Sequence, residues 1–372
     1  MPTSSESTIW IHQMNKTRTC TTLAPRWLGD ISFILAGLLA LFFLLSVGDS
    51  QAETGAVHTT QANGFPRKIT SALGTAVIER PPQRIVALGA GAEDIVLALG
   101  KIPVGIESHT WGGDKQGYLP WFRQALEQRG EPLPQVLNMY PELDIEQLIN
   151  LKPDVIIATQ SGMSQSLYNQ LSRFAPVVAY PGRPWLTSLT QQVELIGQTL
   201  GEESQIYPLL QELKNTLSAA GQTVPGIKNL RFAYIKAASS NTNLSVYVAG
   251  DPRVDTLIAT GMQLAPSIKD LMASRGSFAA NLGLENADQL DDADILVTWY
   301  SSEQERQRVE EKPLFNAMAA VQRGGYIPLT DQAIVMAMSY GTPLSVQWGL
   351  QRFMPLLAEK ARHLADTKET LP

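Results

Sequence analysis

The chain has 372 residues, a formal net charge of −6 and 44% hydrophobic residues, so it is long enough for two domains of ordinary size. Because basic residues are not in excess, we expect no nucleic-acid partner. The single cysteine, Cys20, lies near the N-terminus, so the rest of the chain has neither a disulfide nor a thiolate metal site.

The first predicted element is an export signal. Residues 31–47 are almost wholly apolar, follow three basic residues and precede a small-residue site that ends at Ala52. This order is typical of a secretory signal, so we predict residues 1–52 as a signal peptide cleaved after about Ala52, and a periplasmic location for the mature protein. A retained membrane anchor is the alternative, because the apolar run is only slightly shorter than the ~18 residues that suggest a span. Met1 and Met14 are both candidate start sites.

An N-terminal α/β lobe is predicted after a small, polar leader at residues 53–64. A hairpin is predicted before Pro81 and Pro82. After these prolines, short apolar segments alternate with helical segments, one of which ends near Gly100. This alternation favours a parallel sheet. We assign residues 65–201 to this lobe, with strands at 67–70, 74–78, 84–88, 104–106, 154–158 and 177–180, and a helix at 93–99.

A connecting helix and a second α/β lobe are predicted next. Two amphipathic helices, residues 185–200 and 203–220, are separated by Gly201. The second has its leucines at the spacing of one helix face. We place the connecting helix at residues 202–222 and the C-terminal lobe at residues 223–366. Its predicted elements are strands at 230–235, 244–248, 295–299 and 326–329, and helices at 255–260 and 343–365.

One sequence pattern occurs in both predicted lobes. Each copy is a short helix with a glutamate near its start, Glu146 or Glu285, followed by an aspartate, Asp154 or Asp294, that leads into an apolar run. Such runs after a helix indicate strands buried on both faces of a parallel sheet. Two related lobes with equivalent carboxylates are typical of a bilobed binding protein and not of a single-site enzyme domain.

The sequence resembles a known family at four places: residues 84–89, 93–106, 146–157 and 276–297. These segments are similar to the ferric-siderophore and vitamin B12 periplasmic binding proteins of ABC importers, and the similarity extends over residues 65–360. The resemblance implies two parallel-sheet α/β lobes joined by a single long helix, with the ligand cleft between the lobes. It also implies a monomeric, non-enzymatic receptor without a cofactor, which captures an Fe(III)-siderophore complex and delivers it to an inner-membrane ABC permease for iron uptake.

The resemblance also implies site residues. The docking carboxylates of the family correspond to Glu146 and Glu285, each of which meets arginines of the permease. Because the siderophore fills the coordination sphere of the iron, the protein needs aromatic walls and positive charge and not metal ligands. Loops at strand ends are where an α/β cleft places such side chains. The candidate ligand-binding residues are Trp111, Tyr118, Tyr140, Arg183, Trp185, Lys236, Arg253, Phe278, Trp299 and Tyr340.

Two alternatives remain open at this point. A haem or corrinoid receptor of the same importer class would need one axial ligand, such as His109 or a tyrosine. A dinucleotide-binding α/β enzyme is less favoured, because the glycine pattern of Gly89 and Gly91 has Asp94 where a third glycine is required. A site for a bare metal ion is disfavoured, since histidines are scarce.

Overall fold

The computed structural model of the chain describes residues 64–139, 142–240, 242–274 and 276–370. The predicted signal peptide, nearly all of the predicted leader, and Tyr140 lie outside these residues. Within the described part, no helix combines the length and the apolarity needed to cross a membrane.

The first half of the chain forms a parallel sheet. Its strands are short, with three or four residues each. All residues of the central strands are buried, as expected for a sheet covered on both faces. The strands are β3 (Ile85–Ala87), β4 (Gly105–Glu107), β5 (Gln135–Leu137), β6 (Val155–Ala158) and β7 (Val177–Ala179), preceded by a hairpin of β1 (Arg67–Ser71) and β2 (Gly74–Ile78). The order is β5-β4-β3-β6-β7, and every neighbouring pair is parallel.

The helices of this half begin and end where local sequence signals place them. The helix expected at residues 185–200 begins only at Leu189, because Ser188 and Gln191 form a capping box and Trp185 has a positive φ of 64°. It ends at Gly201, whose φ of 78° suits a glycine C-cap. The helices are α1 (Ala92–Ala98), α2 (Pro120–Arg129), α3 (Ile145–Asn150), α4 (Gln165–Leu171) and α5 (Leu189–Leu200).

A single 20-residue helix, α6 (Glu203–Gln222), connects the two sheets in sequence. Its buried leucines, Leu213 and Leu217, belong to the core of the second half. Near its end, Gly221 lies directly against the backbone of Thr260, so that an added Cβ would be 1.7 Å from the Thr260 carbonyl oxygen. This close approach attaches the end of the connecting helix to the second sheet's helical layer.

The second half forms a mixed sheet, so the expectation of a wholly parallel second sheet is wrong, although the expectation of two α/β lobes is confirmed. Its strands are β8 (Arg231–Ala237), β9 (Asn243–Tyr247), β10 (Gln263–Leu264), β11 (Ala279–Gly283), β12 (Ile295–Trp299) and β13 (Tyr326–Leu329), in the order β11-β9-β8-β12-β13 with β10 beside β8. Strand β9 pairs antiparallel with β8 and with β11. The segment between β8 and β9 is too short for the crossover that parallel neighbours require.

The final helix packs against both halves of the chain. The remaining helices are α7 (Pro252–Ala259), α8 (Pro266–Lys269), α9 (Glu303–Glu310), α10 (Pro313–Asn316), α11 (Ala319–Gln322), α12 (Gln332–Tyr340) and α13 (Pro343–Thr370), with 3₁₀ turns at Ile227–Asn229 and Leu284–Leu290. Helix α13 contacts α1 and α2 of the first half as well as α6 and α12. One core cluster therefore joins Leu97 and Phe122 to Ala337, with Leu344 and Trp348 packed against it.

The repeated aspartates have the same structural role in each lobe. Asp154 accepts hydrogen bonds from the backbone N–H groups of Gln83 (2.8 Å) and Arg84 (2.9 Å), just before β3. Asp294 accepts one from the backbone N–H of Arg231 (3.0 Å), the first residue of β8. Each aspartate thus anchors the start of the neighbouring parallel strand, and the sequence repeat reflects a structural repeat.

Candidate functional site

The lobes meet where the carboxyl ends of their parallel strands carry aromatic loops. Trp111 follows β4 in the first lobe, and Trp299 ends β12 in the second. Their rings form an edge-on contact with centroids 5.9 Å apart and planes at 68°. Such ends of parallel strands are the usual ligand position in open α/β sheets.

A glycine allows the Trp111 loop to approach the second lobe closely. Gly112 has a φ of 81°, and a Cβ built on it would lie 2.6 Å from the Met336 side chain and 2.9 Å from the Gln332 carbonyl oxygen. Any other residue at this position would therefore be strained and would push the loop away from α12. The tryptophan contact between the lobes depends on this glycine.

Lys236 lies beneath the aromatic surface of the second lobe. Its Nζ is 4.2 Å from the centroid of the Trp299 ring and donates a 2.8 Å hydrogen bond to Glu305. The same carboxylate oxygen accepts from the backbone N–H of Ser301 at 2.6 Å. Burial lowers the pKa of Lys236, and the Glu305 carboxylate opposes that effect. The lysine is thus held as one half of a largely buried ion pair.

Arg253 forms a second, partly buried cation in the same lobe, in the first turn of α7. Its guanidinium donates to Asp251 at 2.7 Å and to the Ser339 hydroxyl at 3.1 Å, and lies 4.4 Å from the centroid of the Tyr247 ring. The Trp299 indole N–H donates to the Tyr247 hydroxyl at 3.1 Å, which links the two cations through their rings. This set of five side chains, Lys236, Tyr247, Arg253, Trp299 and Trp111, is called the aromatic–cation wall below.

Other predicted ligand-binding residues lie elsewhere, and their roles stay predictions. Tyr118 is buried, and its hydroxyl donates to the Pro134 carbonyl at 2.6 Å. Arg183 is exposed in the loop after β7, and the Trp185 ring covers Gly162. Phe278 packs against Gly250 just before β11, at the edge of the sheet. Tyr340 lies at the end of α12 and contacts the first lobe through its ring.

A buried cluster of acids with one imidazole lies beside Tyr340, and sequence reasoning missed it. Glu93, Asp94, Glu107 and His109 are all at most 5% exposed. His109 Nε2 is 2.8 Å from Glu93, and its Nδ1 is 3.4 Å from the Tyr340 hydroxyl. The available signal was the adjacent Glu93 and Asp94 at the start of an otherwise apolar helix. These four residues are called the acid–histidine cluster.

The cluster connects the lobes through polar contacts. Asp94 accepts hydrogen bonds from the Trp121 indole (2.8 Å) in its own lobe and from the Thr342 hydroxyl in the other. Burial, together with the neighbouring Glu93 carboxylate, raises the pKa of Asp94 to about 8. Burial would lower the pKa of His109, but the Glu93, Glu107 and Asp94 carboxylates raise it overall. The His109 ring is therefore buried, with Nε2 facing Glu93 and Nδ1 facing the Tyr340 hydroxyl.

The two predicted docking glutamates are exposed on short helical segments. Glu146 lies in the first turn of α3, after the N-cap Asp144, which accepts from the backbone N–H of Gln147 at 2.9 Å. Glu285 lies in the first turn of the 3₁₀ segment after β11. An acid at the start of an α-helix is favoured by the helix dipole, so Glu146 also stabilises α3 locally.

Two surface depressions lie away from the aromatic–cation wall. One, of about 490 Å³, is bounded by β2 and the segment leading into β7 and includes Tyr168 and Phe174. The other, of about 500 Å³, lies between α6 and α13 and includes Leu350 and Met354. Neither is lined by a predicted ligand-binding residue. No group of three or more His, Cys, Asp or Glu side chains among the described residues is arranged to hold a metal ion.

Comparisons with known proteins agree with this architecture. The sequence profile of a family described as periplasmic binding protein matches residues 85–333. The Fe(3+) dicitrate-binding periplasmic protein FecB of Escherichia coli is 26% identical over 263 residues, which cover 70% of this chain and 81% of that protein. The achromobactin-binding periplasmic protein of Dickeya dadantii is 35% identical over 130 residues, 35% of this chain and 39% of the relative.

A solved structure extends the agreement to three dimensions. Streptococcus pneumoniae PiaA, crystallised in complex with ferrichrome, superposes with a TM-score of 0.71 at 25% identity. The match covers 80% of this chain and 99% of PiaA. The Staphylococcus aureus protein SirA in complex with staphyloferrin B has a TM-score of 0.61 at 20% identity, which supports the fold alone.

Proposed function

Because the chain belongs to the periplasmic binding protein family, we propose that it captures a ferric siderophore between its lobes and delivers the complex to an ABC importer for iron uptake. FecB, an Fe(3+) dicitrate-binding protein, and PiaA, crystallised in complex with ferrichrome, support this ligand class. The observation in this chain that carries the proposal is the aromatic–cation wall, in which Trp111 of one lobe meets Trp299 of the other.

The wall suits a preformed iron chelate. A siderophore supplies the oxygen ligands of the ferric ion, so the protein binds the outer surface of the chelate and not the metal. Indole and phenol rings offer flat apolar area with a polar edge, which fits the mixed surface of such a molecule. The guanidinium of Arg253 adds a planar set of donors for chelate oxygens. The proposed role is binding without catalysis.

The binding proposal is tested by titration of the chain from residue 53 onward, read by tryptophan fluorescence. Ferric hydroxamate, catecholate and citrate chelates form the panel, with haemin and cobalamin as controls. We expect submicromolar quenching by a ferric chelate. Trp111→Phe should remove part of that signal, whereas Trp348→Phe, on α13 outside the wall, should retain it. Binding of haemin or cobalamin alone would indicate a different ligand class. Absence of quenching with every ligand would refute the receptor function.

Docking to the permease is proposed for the two repeated glutamates. Glu146 and Glu285 are exposed, and each occupies the corresponding place in its lobe. Two equivalent carboxylates suit a partner with pseudo-twofold symmetry, and charge-assisted contacts with permease arginines would fix the orientation of the complex.

A double variant separates docking from ligand binding. Glu146→Ala with Glu285→Ala should abolish siderophore-dependent iron uptake in cells while the ligand dissociation constant of the purified protein stays the same. The matched control is Glu194→Ala with Glu359→Ala, which removes one exposed glutamate from α5 and one from α13. If the docking variant supports iron uptake at the level of the control variant, these glutamates do not form the permease contact.

The proposed location is the periplasm, where the chain would act as a monomer after export. Cleavage after about Ala52 is proposed from the order of charged, apolar and small residues. N-terminal sequencing of the protein from a periplasmic fraction checks the cleavage site. Recovery of the intact apolar run in the membrane fraction would instead identify a membrane-anchored form.

A further inference from the structure

The cations of the second-lobe wall are each neutralised by a carboxylate of the same lobe. Lys236 pairs with Glu305 at 2.8 Å, and Arg253 pairs with Asp251 at 2.7 Å. The two carboxylate side chains are only 15% and 5% exposed, so water does little to weaken these pairs. Both cations also lie over aromatic rings of the wall. They are therefore engaged within the protein before any ligand arrives.

On the first lobe's side of the junction, carboxyl groups outnumber basic groups. The acid–histidine cluster contains three carboxyl groups, Glu93, Asp94 and Glu107, and one imidazole, His109. Burial raises the pKa of Glu107, with His109 opposing it, and the pKa of Asp94 is raised to about 8. The cluster is therefore three carboxyl groups around one imidazole, and it supplies no uncompensated positive charge to the junction.

Taken together, the groups of the wall and the cluster carry no excess of positive charge. Lys236 and Arg253 are matched in number by their partners Glu305 and Asp251, and His109 faces Glu93 within the cluster. Lys115 and Arg183 are exposed, so their fields are screened within about 8 Å at physiological salt. Lys312 donates its Nζ to a backbone carbonyl at 2.7 Å.

We infer that this cleft selects a ferric chelate of zero or positive net charge, such as a trihydroxamate, and discriminates against polyanionic chelates; this inference rests on the proposed function. Three hydroxamate groups balance the charge of a ferric ion, whereas three catecholate groups leave three negative charges. A polyanion that enters the cleft loses hydration without gaining an uncompensated cation in return. A neutral chelate avoids this cost and gains contact with the rings of the wall.

The test compares chelates of different charge on the same protein. Dissociation constants are measured by fluorescence quenching for ferrichrome, which is neutral, for ferric enterobactin, which is trianionic, and for ferric citrate, which is anionic. We expect ferrichrome to bind at least about tenfold more tightly than either anionic chelate. A polyanion that binds as tightly as ferrichrome would overturn the inference and leave the receptor function intact. Failure of every ferric chelate to bind would overturn the proposed function itself.

A charge variant tests the cause of the preference. Glu305→Gln releases Lys236 from its partner, so the ratio of the enterobactin to the ferrichrome dissociation constant should fall about tenfold. Glu303→Gln is the matched control, because Glu303 lies on the same helix but is 46% exposed and pairs with Arg306. An equal ratio in wild-type protein and Glu305→Gln would contradict the electrostatic reasoning. If Glu305→Gln does not fold, Asp251→Asn releases Arg253 in the same way and keeps the Asx cap of α7.

Discussion

Replacing Arg253 by alanine should destabilise the protein strongly, because this side chain is the partner of a buried carboxylate. The Asp251 side chain is 5% exposed and that of Arg253 is 20% exposed. Removing the guanidinium eliminates the 2.7 Å contact with Asp251, the 3.1 Å hydrogen bond to Ser339 and the stacking on Tyr247. The carboxylate then stays buried without its cation.

The expected loss in the free energy of unfolding follows from these contacts. Breaking a buried ion pair by removing one partner costs about 3–5 kcal/mol. Arg253 is partly accessible to water, and Asp251 still accepts the backbone N–H of residue 253 at 2.9 Å, so the lower end of the range applies. A loss of about 3 kcal/mol corresponds to a fall in Tm of roughly 6–12 °C for a domain of this size.

The assay is thermal and urea unfolding of wild type and variants, followed by circular dichroism. Arg352→Ala is the matched control, because the Arg352 guanidinium also lies over a ring, 3.6 Å from the centroid of Trp348, but is exposed and donates to a carbonyl and not to a carboxylate. Its loss should cost about 1 kcal/mol or less. If Arg253→Ala and Arg352→Ala lower Tm equally, the buried-pair argument is refuted.

Two further predictions concern the junction of the lobes and the connecting helix. The contribution of Asp94 to the free energy of unfolding should fall as pH rises from about 4 to about 8, because the folded protein keeps a proton on Asp94 that the unfolded chain releases near the ordinary pKa of 3.8. Asp94→Asn should reduce this slope in urea titrations at several pH values, and an unchanged slope would contradict the assignment. Gly221→Ala should cost about 3 kcal/mol, since its Cβ would meet the Thr260 carbonyl at 1.7 Å. Ser218→Ala, on the exposed face of the same helix, should change stability by less than about 0.5 kcal/mol in the same assay.

Much of the first sheet was predictable because its strands are local apolar runs with clear boundaries. Asp154 and the four apolar residues after it identified β6 of this sheet. The corresponding apolar run after Asp294 identified β12 of the second sheet. The antiparallel strand Ala279–Gly283 was missed, because its alanines, asparagine and glycine have little strand propensity, and it forms by pairing with β9. Its formation depends on a partner that is distant in sequence.

The site was less predictable than the fold, since it depends on which side chains meet across the lobes. Aromatic and cationic residues after strands were the candidates, and two of them, Trp111 and Trp299, do meet. Tyr118, by contrast, resembles them in sequence but lies buried with its hydroxyl on a backbone carbonyl. No local pattern indicated that Asp94 would contact Thr342 of the other lobe. Contacts of this kind arise from packing around α13 and not from neighbouring sequence.

The most direct test of the central claim is the position of iron in a crystal of the protein loaded with a ferric siderophore, read from anomalous diffraction at the iron absorption edge. We predict a single iron peak between the lobes, beside Trp111 and Trp299 and facing Arg253. A peak in either outer surface depression, near Phe174 or near Leu350, would contradict the assignment of the cleft as the binding site.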